Sequence, residues 1–122
     1  MIAQTWYTGA MLDEMTFRRH ADAALESLKK ALLQTESEAD FEVDEQDGAL
    51  NILFEDPPGR FILSPNAPVR QIWISALYTS FKLDWDESSG GFVLLKTGEA
   101  LRPLVARLIN EQLGGEAVVL PQ

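Results

Sequence analysis

The hydrophobic period of this chain changes twice, and that change restricts the folds open to it more than any other feature. From Asp13 to Gln34 the apolar positions Phe17, Ala21, Ala24, Leu25, Leu28, Ala31 and Leu32 recur at helical spacing. Arg18, Arg19, Asp22, Glu26, Lys29 and Lys30 occupy the other face. From Phe41 the period is two: Phe41 and Val43 alternate with Glu42 and Asp44, and Leu50, Ile52 and Phe54 form the inward set of a second strand. Asp47-Gly48 between them is a hairpin signal. Pro57-Pro58-Gly59 breaks the chain before Phe61-Ile62-Leu63, and Pro65 and Pro68 break it again before a strand from Gln71 to Ala76. Phe81, Leu83 and Trp85 alternate with Lys82 and Asp84 in a fifth strand, and Ser88-Ser89-Gly90-Gly91 turns into a short sixth, Phe92 to Leu95. Helical spacing returns from Glu99 to Leu113, with Leu101, Leu104, Leu108 and Leu113 on one side. Pro103 fits only near the first turn, and Gly114-Gly115 ends the helix.

A helix, six short antiparallel strands and a second helix predict an α+β fold, because apolar helix faces and an apolar sheet face must cover one another. A two-layer sandwich is the simplest solution. One domain over residues 13–113 accounts for every periodic segment. Residues 1–12 are expected to form a loose extension. Residues 114–122 form a tail, in which Ala117-Val118-Val119-Leu120 is apolar enough to lie along the helices.

Charge and composition narrow the function classes. The 122 residues contain no cysteine, which removes disulfides, thiolate ligands and thiol nucleophiles together, and the single histidine, His20, excludes a multi-histidine metal cage. A net charge of −9 disfavours nucleic acid and anionic membrane surfaces, and leaves cations and basic protein surfaces as partners. No apolar run approaches the roughly 20 residues that span a bilayer. The first cation is Arg18, so no basic leader is evident and a cytoplasmic, monomeric protein is the expectation. No phosphate-binding glycine loop, catalytic triad order or metallohydrolase motif is present.

The acid is unevenly placed. Between Lys30 and Arg60 there is no lysine or arginine, whereas Glu36, Glu38, Asp40, Glu42, Asp44, Glu45, Asp47, Glu55 and Asp56 all fall there. Alternate strand residues share a face at a spacing of roughly 6.5–7 Å, so Asp40, Glu42 and Asp44 are expected to project to one side. Crowded carboxylates repel, and a bound cation relieves the repulsion. Their oxygens suit hard cations such as calcium, magnesium, manganese and iron, in an open and weak site without EF-hand spacing. A solvated acidic face and a docking surface for a basic partner fit the same pattern. Period two also bears on the aromatics: if Ile72 and Ile74 face the core, Trp73 faces away from the helices, where a large aromatic can anchor a partner. Trp85, in line with Phe81 and Leu83, is assigned to the core, and His20 to the boundary of the apolar stripe.

Pro68-Val69-Arg70-Gln71-Ile72-Trp73-Ile74-Ser75 closely resembles the central strand of frataxins. Phe17-x-x-x-Ala21-Asp22, Asp47-Gly48-x-Leu50, Lys82-Leu83-Asp84-Trp85 and Thr97-Gly98-Glu99 follow the family order, so that the resemblance covers residues 13–113. It implies a sandwich with both helices on one face of the sheet, weak iron binding through acidic residues, and contact with cysteine desulfurase and its scaffold protein in iron–sulfur cluster assembly. Carried over by position, the implied iron ridge is Glu36, Glu38, Asp40, Glu42 and Asp44, with Asp22 as a further candidate. The implied partner surface is Gln71, Trp73 and Ser75, with Lys82 and Asp84 nearby. Bacterial frataxins often have acids in the last turns of the first helix, where this chain has Lys29, Lys30 and Leu33, so the helical half of the ridge is thin. The family's histidine near the start of that helix is replaced by Arg18, and His20 stands where a leucine is usual. A ferroxidase or iron store is the enzymatic alternative, although such centres use histidines and carboxylates inside a helical bundle. An acidic interaction domain without a metal role is the third.

Overall fold

Local chemistry sets each element in the computed structural model, which describes residues 12–36 and 40–115. The first helix, α1 (Glu14–Thr35), begins where the Asp13 carboxylate accepts the Thr16 N–H at 2.7 Å and the Thr16 hydroxyl at 3.0 Å. Its stripe of Phe17, Ala21, Leu25, Leu28, Ala31 and Leu32 is buried. Seven strands follow: β1 (Glu42–Gln46), β2 (Ala49–Glu55), β3 (Pro58–Asn66), β4 (Gln71–Ala76), β5 (Thr79–Asp86), β6 (Gly91–Leu94) and β7 (Glu99–Ala100). The second helix, α2 (Leu101–Leu113), closes the order. The strands form one antiparallel meander in sequence order. Ile72, Ile74 and Ala76 of β4 are buried beneath the helices with Leu50, Ile52, Phe61, Leu63 and Leu83, and the alternate positions form the open face. The α+β sandwich with both helices on one side is therefore the observed architecture.

Three details differ from the sequence reading. β3 runs through Pro65 to Asn66, and the break comes only at the 3-10 turn Ala67–Val69. Proline is tolerated here because pairing with β2 ends at Leu50↔Leu63, so that no partner lies on that side to miss its N–H. The 99–100 segment pairs with β6 as a seventh strand before the helix starts, through Val93↔Ala100 and Leu94↔Glu99. Trp85 is half-buried at the core margin and not inside it. Its ring stacks on His20 of α1, centroids 4.0 Å apart and 14° from parallel, and packs edge-to-face with Phe92 at 5.3 Å. The expected 1–12 extension lies, apart from Leu12, outside the described residues, as do positions 116–122 of the tail.

Two hairpins use type I′ geometry, with positive φ at both central residues: Asp47-Gly48 and Leu77-Tyr78. The first is a sequence suited to that turn. The second is not, since leucine and tyrosine lack glycine's freedom and the left-handed region costs about 1–2 kcal/mol per such residue.

Arg107 of α2 bonds Glu99 of β7 at 2.7 and 2.9 Å and Glu111 at 2.6 Å. The guanidinium holds Glu99 below the usual carboxylate range, with Thr97 assisting. Asp13 is lowered by its bonds from Thr16, and Asp86 by its bonds from Ser89 and Ser88. In all three the folded state binds protons less readily than the unfolded one. Their stabilisation is present above the ordinary carboxylate values and is lost as pH falls through the lowered folded values. The melting temperature followed by circular dichroism is thus expected to hold between neutrality and about pH 5 and to drop below about pH 4. A flat profile through the acid range would show that these bonds contribute nothing.

Candidate functional site

The open face of the sheet carries an organised polar–aromatic group centred on Trp73. Antiparallel register sets Trp73 beside Lys82 on β5 and Ser64 on β3, and Gln71 beside Asp84 and Asn66. Gln71 joins the set in both directions. Its Oε1 accepts the Trp73 indole N–H at 2.8 Å, and its Nε2 donates to Asp84 Oδ1 at 3.1 Å. The Lys82 ammonium lies 4.9 Å from the centre of the Trp73 ring, within cation–π range. The half-buried indole is therefore held from two sides before anything binds it. Ser75 is exposed one step along the strand, opposite Ser80. Gln71, Trp73, Ser75, Lys82 and Asp84 all lie on this one face. Reading Pro65 as a break concealed Ser64 and Asn66, which the register adds to it.

The acidic candidates are more dispersed. Glu42 and Asp44 share the open face at the β1 edge, whereas Asp40 precedes the strand in a turn, so alternation does not govern its direction. Asp40 and Glu42 instead line a recess of about 450 Å³ with Glu55 and Asp56, over Phe41 and Leu53. Glu55 and Asp56 lie in the same lysine- and arginine-free stretch but were not singled out by strand periodicity, because the β2–β3 turn brings them here. Glu36 caps α1, and its Oε2 accepts the Val43 N–H at 2.8 Å, which satisfies a donor on the exposed edge of β1. Glu45 lies on the helix side, paired with Lys29 at 3.0 Å. Its carboxylate holds the lysine above the usual ammonium range. Asp22 is exposed on α1, two turns before Lys29 on the same helical stripe. Glu38 lies outside the described residues. Among the described residues no three carboxylate or histidine side chains converge as metal ligands. Glu42 and Asp44, one strand repeat or roughly 7 Å apart, leave water to supply most of the coordination sphere of any ion held there.

No described helix is long and apolar enough to cross a membrane. Residues 10–115 match the model of the frataxin-like domain. Among its relatives, the iron–sulfur cluster assembly protein CyaY of Pseudomonas aeruginosa is 34% identical over 110 residues, which cover 90% of this chain and 98% of that protein. The protein of the same name from Azotobacter vinelandii is 35% identical over 81 residues, 66% of this chain and 73% of that one. The solved structure of the frataxin from Psychromonas ingrahamii superposes with a TM-score of 0.77 over 91% of this chain and 100% of that one. At 18% identity it speaks for the fold alone. With residues 10–115 matched and the Gln-Ile-Trp-Ile-Ser strand that follows Pro68-Val69-Arg70 at the middle of the sheet, this chain belongs to the frataxin-like family.

Proposed function

We propose that this protein is a cytoplasmic regulatory partner in iron–sulfur cluster assembly, the process for which its CyaY relatives are named. In this reading Gln71, Trp73, Ser75, Lys82 and Asp84 meet a cysteine desulfurase and its scaffold protein, and the chain performs no sulfur chemistry itself. The observation that carries the reading is the pre-set indole. An aromatic held by Gln71 and covered by Lys82 loses little freedom on binding, and aromatic side chains dominate the energy of protein interfaces.

Iron is cargo in this scheme. Glu36, Glu38, Asp40, Glu42, Asp44 and Asp22 supply the negative field that gathers it, with water completing each coordination sphere. The same field attracts a basic desulfurase surface. Replacing Asp40, Glu42 and Asp44 together by Asn, Gln and Asn is expected to weaken ferrous iron and desulfurase binding by roughly 3- to 100-fold, from three exposed charge interactions. Titration of each ligand separately against wild type and triple variant checks this, and unchanged binding of both defeats the ridge.

The engagement of Glu36 with the Val43 N–H favours a second reading, an acidic docking surface with no metal role. Complete displacement of iron by magnesium at matched concentration would support that reading over the first.

A further inference from the structure

Three carboxylates stand at the end of β5 or just past it, and each is committed differently. Asp86 accepts the Ser88 hydroxyl and the Ser89 N–H of its own turn, and Glu87 accepts the Trp85 indole N–H. Of the three, only Asp84 reaches another strand. Its sole side-chain bond among the described residues comes from Gln71 Nε2 at 3.1 Å. Register sets this contact. The Leu77-Tyr78 turn is flanked by Ala76↔Thr79, a pair that exchanges backbone bonds, so Trp73↔Lys82 and Gln71↔Asp84 fall on pairs that do not. Facing side chains come closest at such pairs, and the strands themselves hold Asp84 against Gln71.

The contact has a direction. A carboxylate accepts and does not donate, an indole N–H donates and does not accept, and a glutamine amide does one at each end. Between Asp84 and Trp73 the amide has a single orientation that satisfies both neighbours: Nε2 to Asp84, and Oε1 to the indole at 2.8 Å. Without the carboxylate the amide keeps only the indole as partner, and that bond competes with water by itself. Gln71, Trp73 and Asp84 are all half-buried, where linked hydrogen bonds strengthen one another. With its N–H spent on Gln71, the indole offers a partner its ring and no free donor. The orientation of that ring is therefore what a partner reads.

We propose that Asp84 is a positioning residue for partner binding: through the Gln71 amide it fixes the Trp73 indole in the one orientation a partner meets. This rests on the open-face reading above and gives one of its residues an indirect part. Two measurements test it. In NMR of the full chain, the Trp73 Nε1–Hε1 resonance is expected to shift and to exchange faster with water in Asp84→Ala. The Trp85 resonance, held by Glu87 at 2.8 Å, should change little and so report an intact fold. Asp84→Asn should keep the wild-type Trp73 signal, since its amide can turn an oxygen to Gln71 without any charge. In calorimetric titration with the purified desulfurase–scaffold complex, Asp84→Ala is expected to weaken binding roughly 2- to 10-fold, the cost of ordering one side chain, and Asp84→Asn less than about twofold. In a Trp73→Ala background the Asp84→Ala loss should vanish, because a residue that acts through the ring then has nothing to act on. A Trp73 signal unmoved in Asp84→Ala, an Asn variant as weak as Ala, or a loss that persists without the ring overturns the positioning role and leaves the open-face reading standing. Binding unchanged by Trp73→Ala alone defeats that reading itself, and this proposal with it.

Discussion

Replacing Trp73 by alanine is expected to lower affinity for a desulfurase–scaffold complex by about 2–4 kcal/mol, or roughly 30- to 1000-fold, with only a small change in melting temperature. The separation of the two effects follows from position. Ile72 and Ile74 point into the core and Trp73 points the other way, so its removal leaves the layer between sheet and helices intact. Trp73→Phe should fall between the two. It keeps most of the ring face for Lys82 but loses the indole N–H bond to Gln71, a net interaction of about 1 kcal/mol. Calorimetric titration of the purified complex against the three proteins reads this directly. Alanine binding within about twofold of wild type would remove the open face from the interface.

The largest stability effect is expected at Phe92. This residue on β6 is 2% exposed and packs edge-to-face with two other aromatics, Phe17 of α1 at 5.9 Å and Trp85 of β5 at 5.3 Å. Truncation to alanine forfeits burial of the ring and leaves a cavity that three different elements would have to move to fill. A cost of about 3–5 kcal/mol is expected. Against a total of about 5–15 kcal/mol for a domain of this kind, that leaves the protein near the edge of folding. Urea unfolding followed by tryptophan fluorescence measures it, since Trp85 rests on the same ring. A loss below about 1 kcal/mol would mean that Phe17 and Trp85 close the gap at little cost.

These two residues also show how far the sequence could be read. The inward direction of Ile72 and Ile74, and the outward direction of Trp73, follow from alternation alone, because a strand repeats every two residues whatever surrounds it. The same holds for the buried stripe of α1, which needed only the helical period. Phe92 was legible as a strand residue but not as the meeting point of three aromatics, since its neighbours come from segments roughly 75 and 7 positions away. Pro65 misled for a related reason. The rule that proline interrupts a strand depends on whether a neighbour waits for its N–H, and the β2 register decides that. The β7 pair was hidden because two residues carry no period.

The candidate site divides in the same way. Its residue types and the run of uncompensated acid could be read directly, because they are properties of order along the chain. Which carboxylates stand together could not: Glu55 and Asp56 join Asp40 and Glu42 across a turn, and Glu36 turns inward to the β1 edge. The relay from Asp84 through Gln71 to Trp73 likewise exists only where antiparallel register brings separate segments within bonding distance. The amino-acid order by itself determined the two helices, six of the seven strands, the buried faces and the sign of the charge, which follow from local periodicity and composition, while the family was legible only through the resemblance of its motifs. Tertiary structure alone decided which polar groups are spent on one another and which remain available, because hydrogen bonds and ion pairs act over a few ångströms between residues that the chain keeps far apart.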